Sequence, residues 1–258
     1  MKITTICNQK GGVGKTTTSV ALGTGLARKG YRVLAVDLDP QANLEMSSGV
    51  SPLLVHGTIY EVFKGAKQPE EIIETVDLGY DVLPGGIDLA GADMDFTQTG
   101  REFMLREALT RVQANYDHII IDTPPTLGIL TVNALTAASS VIIPMAVDIY
   151  SLQGLSQLNL LIQNVRKYCN PDLAIDGLLV TKWTSRQRIS NVMQIQMEQA
   201  AASIGTKVFD THIRESVAIR EVALLQADMF KDAKRANATV DYQMFLDELL
   251  EGGADNDQ

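Results

Sequence analysis

Eight consecutive residues, Lys10-Gly11-Gly12-Val13-Gly14-Lys15-Thr16-Thr17, carry the groups in this chain best suited to chemistry. Three glycines within four positions let successive N–H groups turn inward as an anion nest, and a helix starting directly afterwards adds the positive end of its dipole. The anion that such a cradle fits is a polyphosphate. In the mononucleotide-binding pattern G-x-x-x-x-G-K-[ST], the lysine reaches the outer phosphates and the hydroxyl ligates magnesium, roles that fall here on Lys15 and Thr16. The pattern fails at its first position, where Gln9 stands in place of glycine, and an additional lysine, Lys10, opens the loop. A glycine-rich turn with two solvated lysines is the bland alternative.

Two more acidic positions end apolar runs. Val33–Val36 leads into Asp37-Leu38-Asp39-Pro40-Gln41, where Pro40 stops a strand and leaves two carboxylates on the loop that follows it. His118–Ile121 leads into Asp122-Thr123-Pro124-Pro125, which puts Asp122 where a carboxylate can bind magnesium through water. Both have plainer readings: Asp-Pro is a common turn former, and Asp122 can close an Asx turn before Pro124.

The elements that position these groups alternate between the two periods. A helix follows the loop to about Lys29, with Gly30 as its C-cap, and Val33–Val36 forms the next strand. Beyond it the pattern predicts short helices over Ile59–Phe63 and Glu70–Val76, a strand over Tyr80–Leu83, a helix over Met104–Val112 and the strand His118–Ile121. A helix over Thr131–Ala138, a strand over Val141–Met145, a helix carrying Leu152, Leu155, Leu158, Ile162 and Val165, and a strand over Ile175–Val180 continue the series. Met193–Ile204, Ser216–Gln226 and Val240–Leu250 read as helices, with a short strand at Lys207–Phe209. The fold class expected is α/β: a doubly wound, mostly parallel twisted sheet flanked by helices. We expect one domain over residues 1–250 and an acidic, flexible tail over 251–258.

Composition narrows the function. With 258 residues and 45% hydrophobic content the chain can bury one large core. A formal net charge of -9 excludes a surface that is basic all round, so any nucleic-acid contact must come from a local patch. Cys7 and Cys169 lie far apart, without zinc spacing, and suit a reducing compartment as packing residues. His56, His118 and His212 are scattered and receive no role. No stretch approaches the apolar length of a membrane span, and no signal-peptide pattern precedes the loop, so a soluble cytoplasmic protein is expected.

The form Lys-Gly-Gly-x-Gly-Lys-Thr-Thr resembles the deviant Walker A motif of the ParA/MinD ATPase superfamily. Four blocks in order are similar to those of the ParA/Soj partition ATPases: Asn8 through Thr17, Val36-Asp37-Leu38-Asp39-Pro40-Gln41-Ala42-Asn43, Ile119 through Pro125, and Ile143-Pro144 through Ser151-Leu152-Gln153-Gly154-Leu155. The resemblance implies a P-loop NTPase fold, ATP and Mg2+ as cofactors, and slow ATP hydrolysis to ADP and phosphate. It makes Lys15 the phosphate lysine, Thr16 the magnesium ligand, Asp39 the carboxylate that orients water and Asp122 the switch aspartate. Lys10 would cross a dimer interface to the partner's nucleotide. It further implies a homodimer on ATP binding, nonspecific double-stranded DNA as a partner, a ParB-type or small DNA-binding activator protein, and nucleoid association without a membrane. Many Soj proteins carry Ile-Pro-Arg-Asn beside adenine, whereas this chain has Ile213-Arg214-Glu215-Ser216, so any contacts there would fall to Arg214 and Ser216. The chain starting at its first strand, no N-terminal helix-turn-helix domain of the larger plasmid ParA proteins is expected.

DNA contact must then come from cations in the C-terminal third. Lys182, Arg186 and Arg188 form a segment without an acid, read as a loop; Arg214 and Arg220 sit near the next turn; and Lys231, Lys234 and Arg235 precede the last helix. Trp183 could stack on a base, although packing is the simpler reading. Two rivals remain. A MinD-like, protein-positioning ATPase bound to membranes needs a basic amphipathic C-terminal helix, but residues 240–251 carry Asp241, Asp247, Glu248 and Glu251 with no Lys or Arg. A metabolic or electron-transfer relative, such as a nitrogenase iron protein or a dethiobiotin synthetase, lacks cluster ligands and a declared substrate pocket here.

Overall fold

Strands that are apolar at every position must be covered on both faces, and side chains alternate between those faces. Leu34 and Val36 enter one hydrophobic cluster while Val33 and Ala35 enter the opposite one; Ile119 and Ile121 divide from Ile120 in the same way. The computed structural model describes residues 1–51, 53–147, 151–184 and 188–254. Its strands are β1 (Lys2–Ile6), β2 (Val33–Asp37), β3 (Glu74–Thr75), β4 (Asp81–Leu83), β5 (His118–Asp122), β6 (Ser140–Ala146) and β7 (Ala174–Thr181). They form one sheet of order β3-β4-β2-β5-β1-β6-β7, in which every pairing is parallel except that of β3 with β4.

In chain order the helices are α1 (Lys15–Arg28), α2 (Asn43–Ser48), α3 (Ile59–Phe63), α4 (Ala92–Asp95), α5 (Met104–Val112), α6 (Ile129–Ala137), α7 (Ser151–Tyr168), α8 (Arg188–Ser203), α9 (Val217–Leu224), α10 (Met229–Asp232) and α11 (Asn237–Ala254). Residues of α3 to α8 build the cluster that contains Leu34 and Ile119, and residues of α1, α2 and α9 to α11 build the other. Phe245 of α11 is fully buried in the second cluster, edge-on to Phe209, and truncating it to Ala would cost about 3–5 kcal/mol. Strand order moves outward from β1 to β2 and β4, returns to β5, then leaves through β6 and β7. The reversal opens a crevice at the C-terminal strand ends, where Ile6 and Asp37 both pair with Asp122.

Most of the sheet and the longer helices match the sequence reading; the short helices α2, α4 and α10 were not read from it, and four further details differ. Residues Glu70–Val76, expected as a helix, hold a 3-10 turn over Pro69–Glu71 and then the edge strand β3, because the β-branched residues Ile72, Ile73, Thr75 and Val76 favour extended backbone that β4 can pair. The expected strand Lys207–Phe209 is a single bridge, Leu178 to Val208. Arg188, read as loop, is the first residue of α8. The last helix runs past Leu250 to Ala254, where a frayed tail was expected to begin, because Leu249 and Leu250 still pack on the second cluster.

Candidate nucleotide-binding site

The loop between β1 and α1 is shaped by backbone angles that glycine alone takes easily: φ is +70° at Gly12 and +89° at Gly14, where α1 begins. It is tied to two strands. The Thr181 hydroxyl at the end of β7 donates to the Val13 carbonyl at 2.8 Å; the Asn8 amide donates to the Pro144 carbonyl in β6 at 2.7 Å and accepts the Lys10 N–H at 2.9 Å. Its N–H groups are therefore aimed before any ligand arrives.

Below the loop, Lys15 is buried and its ammonium donates to the Lys10 carbonyl at 3.1 Å. Burial lowers its pKa, against the opposing fields of Asp122, the Cys7 sulfur and Asp39. The Thr16 hydroxyl donates to Asp122 Oδ2 at 2.6 Å, and the Ser19 hydroxyl, one helical turn on, donates to Asp122 Oδ1 at 3.0 Å. Asp122 is wholly buried, and desolvation pushes its carboxyl up to about 6 despite both hydroxyls and Lys15. A hydroxyl and a carboxylate side by side under a phosphate cradle fit magnesium, which takes oxygen ligands and fills its shell with phosphate and water. Among the described residues no group of three or more His, Cys, Asp or Glu side chains could hold a metal. Cys7 is buried and its thiol is pushed up to about 11 by desolvation, which leaves it unreactive.

The two carboxylates after β2 have different work. Asp37 is fully buried: Oδ1 accepts the Asp39 N–H at 2.8 Å and Oδ2 the Leu44 N–H at 3.1 Å, so it organises the turn and the first turn of α2. Burial, together with Asp122 and Glu45, raises its pKa well above the usual carboxylate range. Asp39 accepts the Gln41 N–H at 3.0 Å and lines a cavity of about 510 Å³ with Gly11, Lys15, Thr16, Asn43 and the α9 residue Ile219. A smaller cavity of about 140 Å³ adjoins Gly14 and Thr17 and is bordered by Arg214, Ser216 and Tyr242.

Of the expected phosphate and metal residues, Gly11, Gly12, Gly14, Lys15, Thr16, Thr17 and Asp39 line one crevice; Asp122 lies buried behind Thr16, Val13 is buried, and Lys10 meets Lys15 through its carbonyl. Arg214 and Ser216 reach the adjoining cavity, but the Arg214 guanidinium is held by Asp241, with Nε at 2.9 Å from Oδ2. The cations proposed for DNA are spread out. Arg220 is exposed, 3.7 Å from Glu215; Lys231, Lys234 and Arg235 border a separate hollow of about 430 Å³; Lys182 stands at the rim of the main cavity; Arg188 opens α8; and Arg186 lies outside the described residues. Trp183 packs its ring on His212, centroids 4.5 Å apart. Sequence reasoning missed Asn8, Ser19, Thr181 and Asp241. Ser19, Thr181 and Asp241 act through partners far away in sequence, and only Asn8, which accepts the Lys10 N–H two residues on, has a local one.

A family model described as an AAA domain matches residues 1–175. The sporulation initiation inhibitor protein Soj of Bacillus subtilis is 44% identical over 222 residues, covering 85% of this chain and 87% of that protein. The chain belongs to the ParA/Soj family of partition ATPases. The chromosome partitioning protein ParA of Myxococcus xanthus is 42% identical over 85% of this chain and 77% of its own. Among solved structures, a cobyrinic acid a,c-diamide synthase from Mycobacterium smegmatis with bound ATP analogue and magnesium is 35% identical, with a TM-score of 0.84 over 97% of this chain and 94% of that one. A putative plasmid partition protein from Borrelia burgdorferi bound to AMPPNP is 26% identical, with a TM-score of 0.79 over 97% of each chain. This member of the ParA/Soj family therefore has the seven-stranded P-loop ATPase architecture throughout its described length.

Proposed function

We propose that this chain is an ATP-driven switch for DNA partition. One observation carries the reading most: Thr16, bonded to the buried Asp122, lines a single crevice with Lys15 and Asp39 under a preformed anion nest. Solved relatives that hold ATP analogues and, in one case, magnesium support the same ligands here. The loop Lys10 to Thr17 takes the phosphates, Lys15 exchanges the Lys10 carbonyl for phosphate oxygen, and Thr16 and Asp122 would hold magnesium. When bound, magnesium neutralises phosphate charge. Asp39 orients the attacking water, and Lys10 contributes charge across an ATP-dependent homodimer, which links turnover to assembly. Arg214 and Ser216 border the base.

The chain works in the cytoplasm as a single domain. As the ATP dimer it binds nonspecific double-stranded DNA and associates with the nucleoid through Lys182, Arg186, Arg188, Arg214, Arg220, Lys231, Lys234 and Arg235. A ParB-type or small DNA-binding partner stimulates slow hydrolysis and releases it. No helix among the described residues is long and apolar enough to cross a membrane. The test uses Asp39→Ala with ATP and magnesium. That dimer should retard duplexes of unrelated sequence at low salt, fall off steeply as salt rises, and fail to do so without ATP. No retardation would remove the DNA-carrier reading and favour a protein-positioning ATPase of the same fold.

A further inference from the structure

The last residue of β7 and the first beyond it treat the phosphate loop differently. Thr181 fastens the loop through its bond to the Val13 carbonyl. Lys182, next in the chain, has φ +53°, in the left-handed region that lysine seldom occupies. The flanking backbone holds it there: the Trp183 N–H donates to the Ile213 carbonyl at 2.9 Å, and the Ile213 N–H donates to the Val180 carbonyl at 2.8 Å. A sparsely populated backbone conformation kept by its surroundings is the kind of strain that marks ligand sites. Its consequence is direction. The Lys182 ammonium lies 3.9 Å from where a Cβ on Gly12 would stand, and the residue borders both the 510 Å³ and the 140 Å³ cavities. The side chain is exposed and, among the described residues, makes no hydrogen bond or ion pair.

We propose that Lys182 is a further cationic ligand of the nucleotide phosphates within its own chain, and that its charge serves the nucleotide before any DNA surface. This rests on the reading of the loop as the ATP site. Lysine suits the role because its ammonium is a compact charge on a flexible stem and can follow a phosphate oxygen without fixed geometry. Gly12, whose φ of +70° favours glycine, keeps the loop surface beside the ammonium free of a side chain. Arg220 borders the same cavities but already faces the Glu215 carboxylate, so Lys182 is the better placed of the two.

The experiment is titration calorimetry of the full chain with ATP and magnesium, comparing wild type, Lys182→Ala, Lys182→Gly and Lys182→Arg. Loss of one charge-assisted hydrogen bond should weaken ATP about tenfold in the Ala and Gly variants, while Arg keeps most of the affinity. Gly relieves the left-handed backbone, so its Tm without nucleotide should not fall below that of the Ala variant; weak binding by a stable Gly variant then reports charge and not folding. Wild-type ATP affinity in both the Ala and Gly variants would overturn the assignment, and weakened DNA retardation in those same proteins would return Lys182 to the DNA surface. If wild type itself binds no ATP, the reading of the loop fails first and this inference with it.

Discussion

The ligand-facing edge has two walls built on opposite principles. In the wall made by β1, β2 and β5 with the phosphate loop the charged groups are buried and bonded: Lys15, Asp37 and Asp122 each meet a defined partner within 3.1 Å. The wall made by α9 and the residues around it is open. Val217, Leu224 and Leu225 are solvent-exposed, Arg220 stands mostly in water, and Arg214 is matched by Asp241. In the proposed reading, phosphate handling rests on backbone and on distances that tolerate little change, whereas contact with a large anionic partner would depend on how many exposed charges lie on a face. The first should break abruptly on substitution and the second by degrees.

The largest effect is expected at Lys15. Lys15→Ala removes the buried charge under the nest and should lower ATP affinity by roughly a hundredfold or more, on the scale of a hydrogen bond between charged groups in a dry site. Calorimetry that found equal affinity in wild type and variant would erase the contrast between the two walls.

A smaller effect, on stability, is expected at Glu45 of α2. Its carboxylate is fully buried, accepts the Gly85 N–H through Oε1, and leaves Oε2 without a partner. Burial raises its pKa. The sign follows: stabilisation from the protonated form is complete below the unfolded value, near 4.3, and is lost as pH rises through the higher folded value. Glu45→Ala should cost about 2 kcal/mol, or roughly 4–8 °C in Tm, by leaving the Gly85 N–H unpaired beside a cavity. Glu45→Gln should lose less and flatten the decline of Tm with pH. Equal losses in thermal melts of the two variants would show that neither the cavity nor the bond to the Gly85 N–H sets the cost, and would contradict this account of Glu45.

The smallest effect on the fold itself belongs to the open wall. Lys234→Ala combined with Arg235→Ala should leave Tm within about 2 °C and ATP affinity unchanged, since surface changes are usually worth little. The same protein should bind duplex several-fold more weakly and with a shallower salt slope, having lost phosphate contacts. A large drop in Tm would place these cations in the framework instead.

The same division governs what could be read from the sequence. Glycine spacing and apolar runs are local, so the loop, Asp39, Asp122 and the order of the main elements were legible without coordinates. The bond from Ser19 to Asp122 joins residues 103 apart, and that from Arg214 to Asp241 joins residues 27 apart, so neither leaves a pattern in any short window. Asp37 and Asp39 look alike as letters and both are buried; the N–H groups that Asp37 accepts and the cavity that Asp39 lines separate the turn organiser from the other carboxylate. β3 escaped because two residues become a strand only when β4 pairs with them.

The account turns on Asp39 acting on water and not on nucleotide binding, since a water-orienting carboxylate works on the transition state more than on the ground state. The most direct measurement incubates Asp39→Ala with ATP and magnesium, then identifies the bound nucleotide and sizes the protein in the same sample. The account predicts ATP retained unhydrolysed, at wild-type affinity, in a dimer. Release of ADP at the wild-type rate, or a monomer with no bound nucleotide, would contradict it.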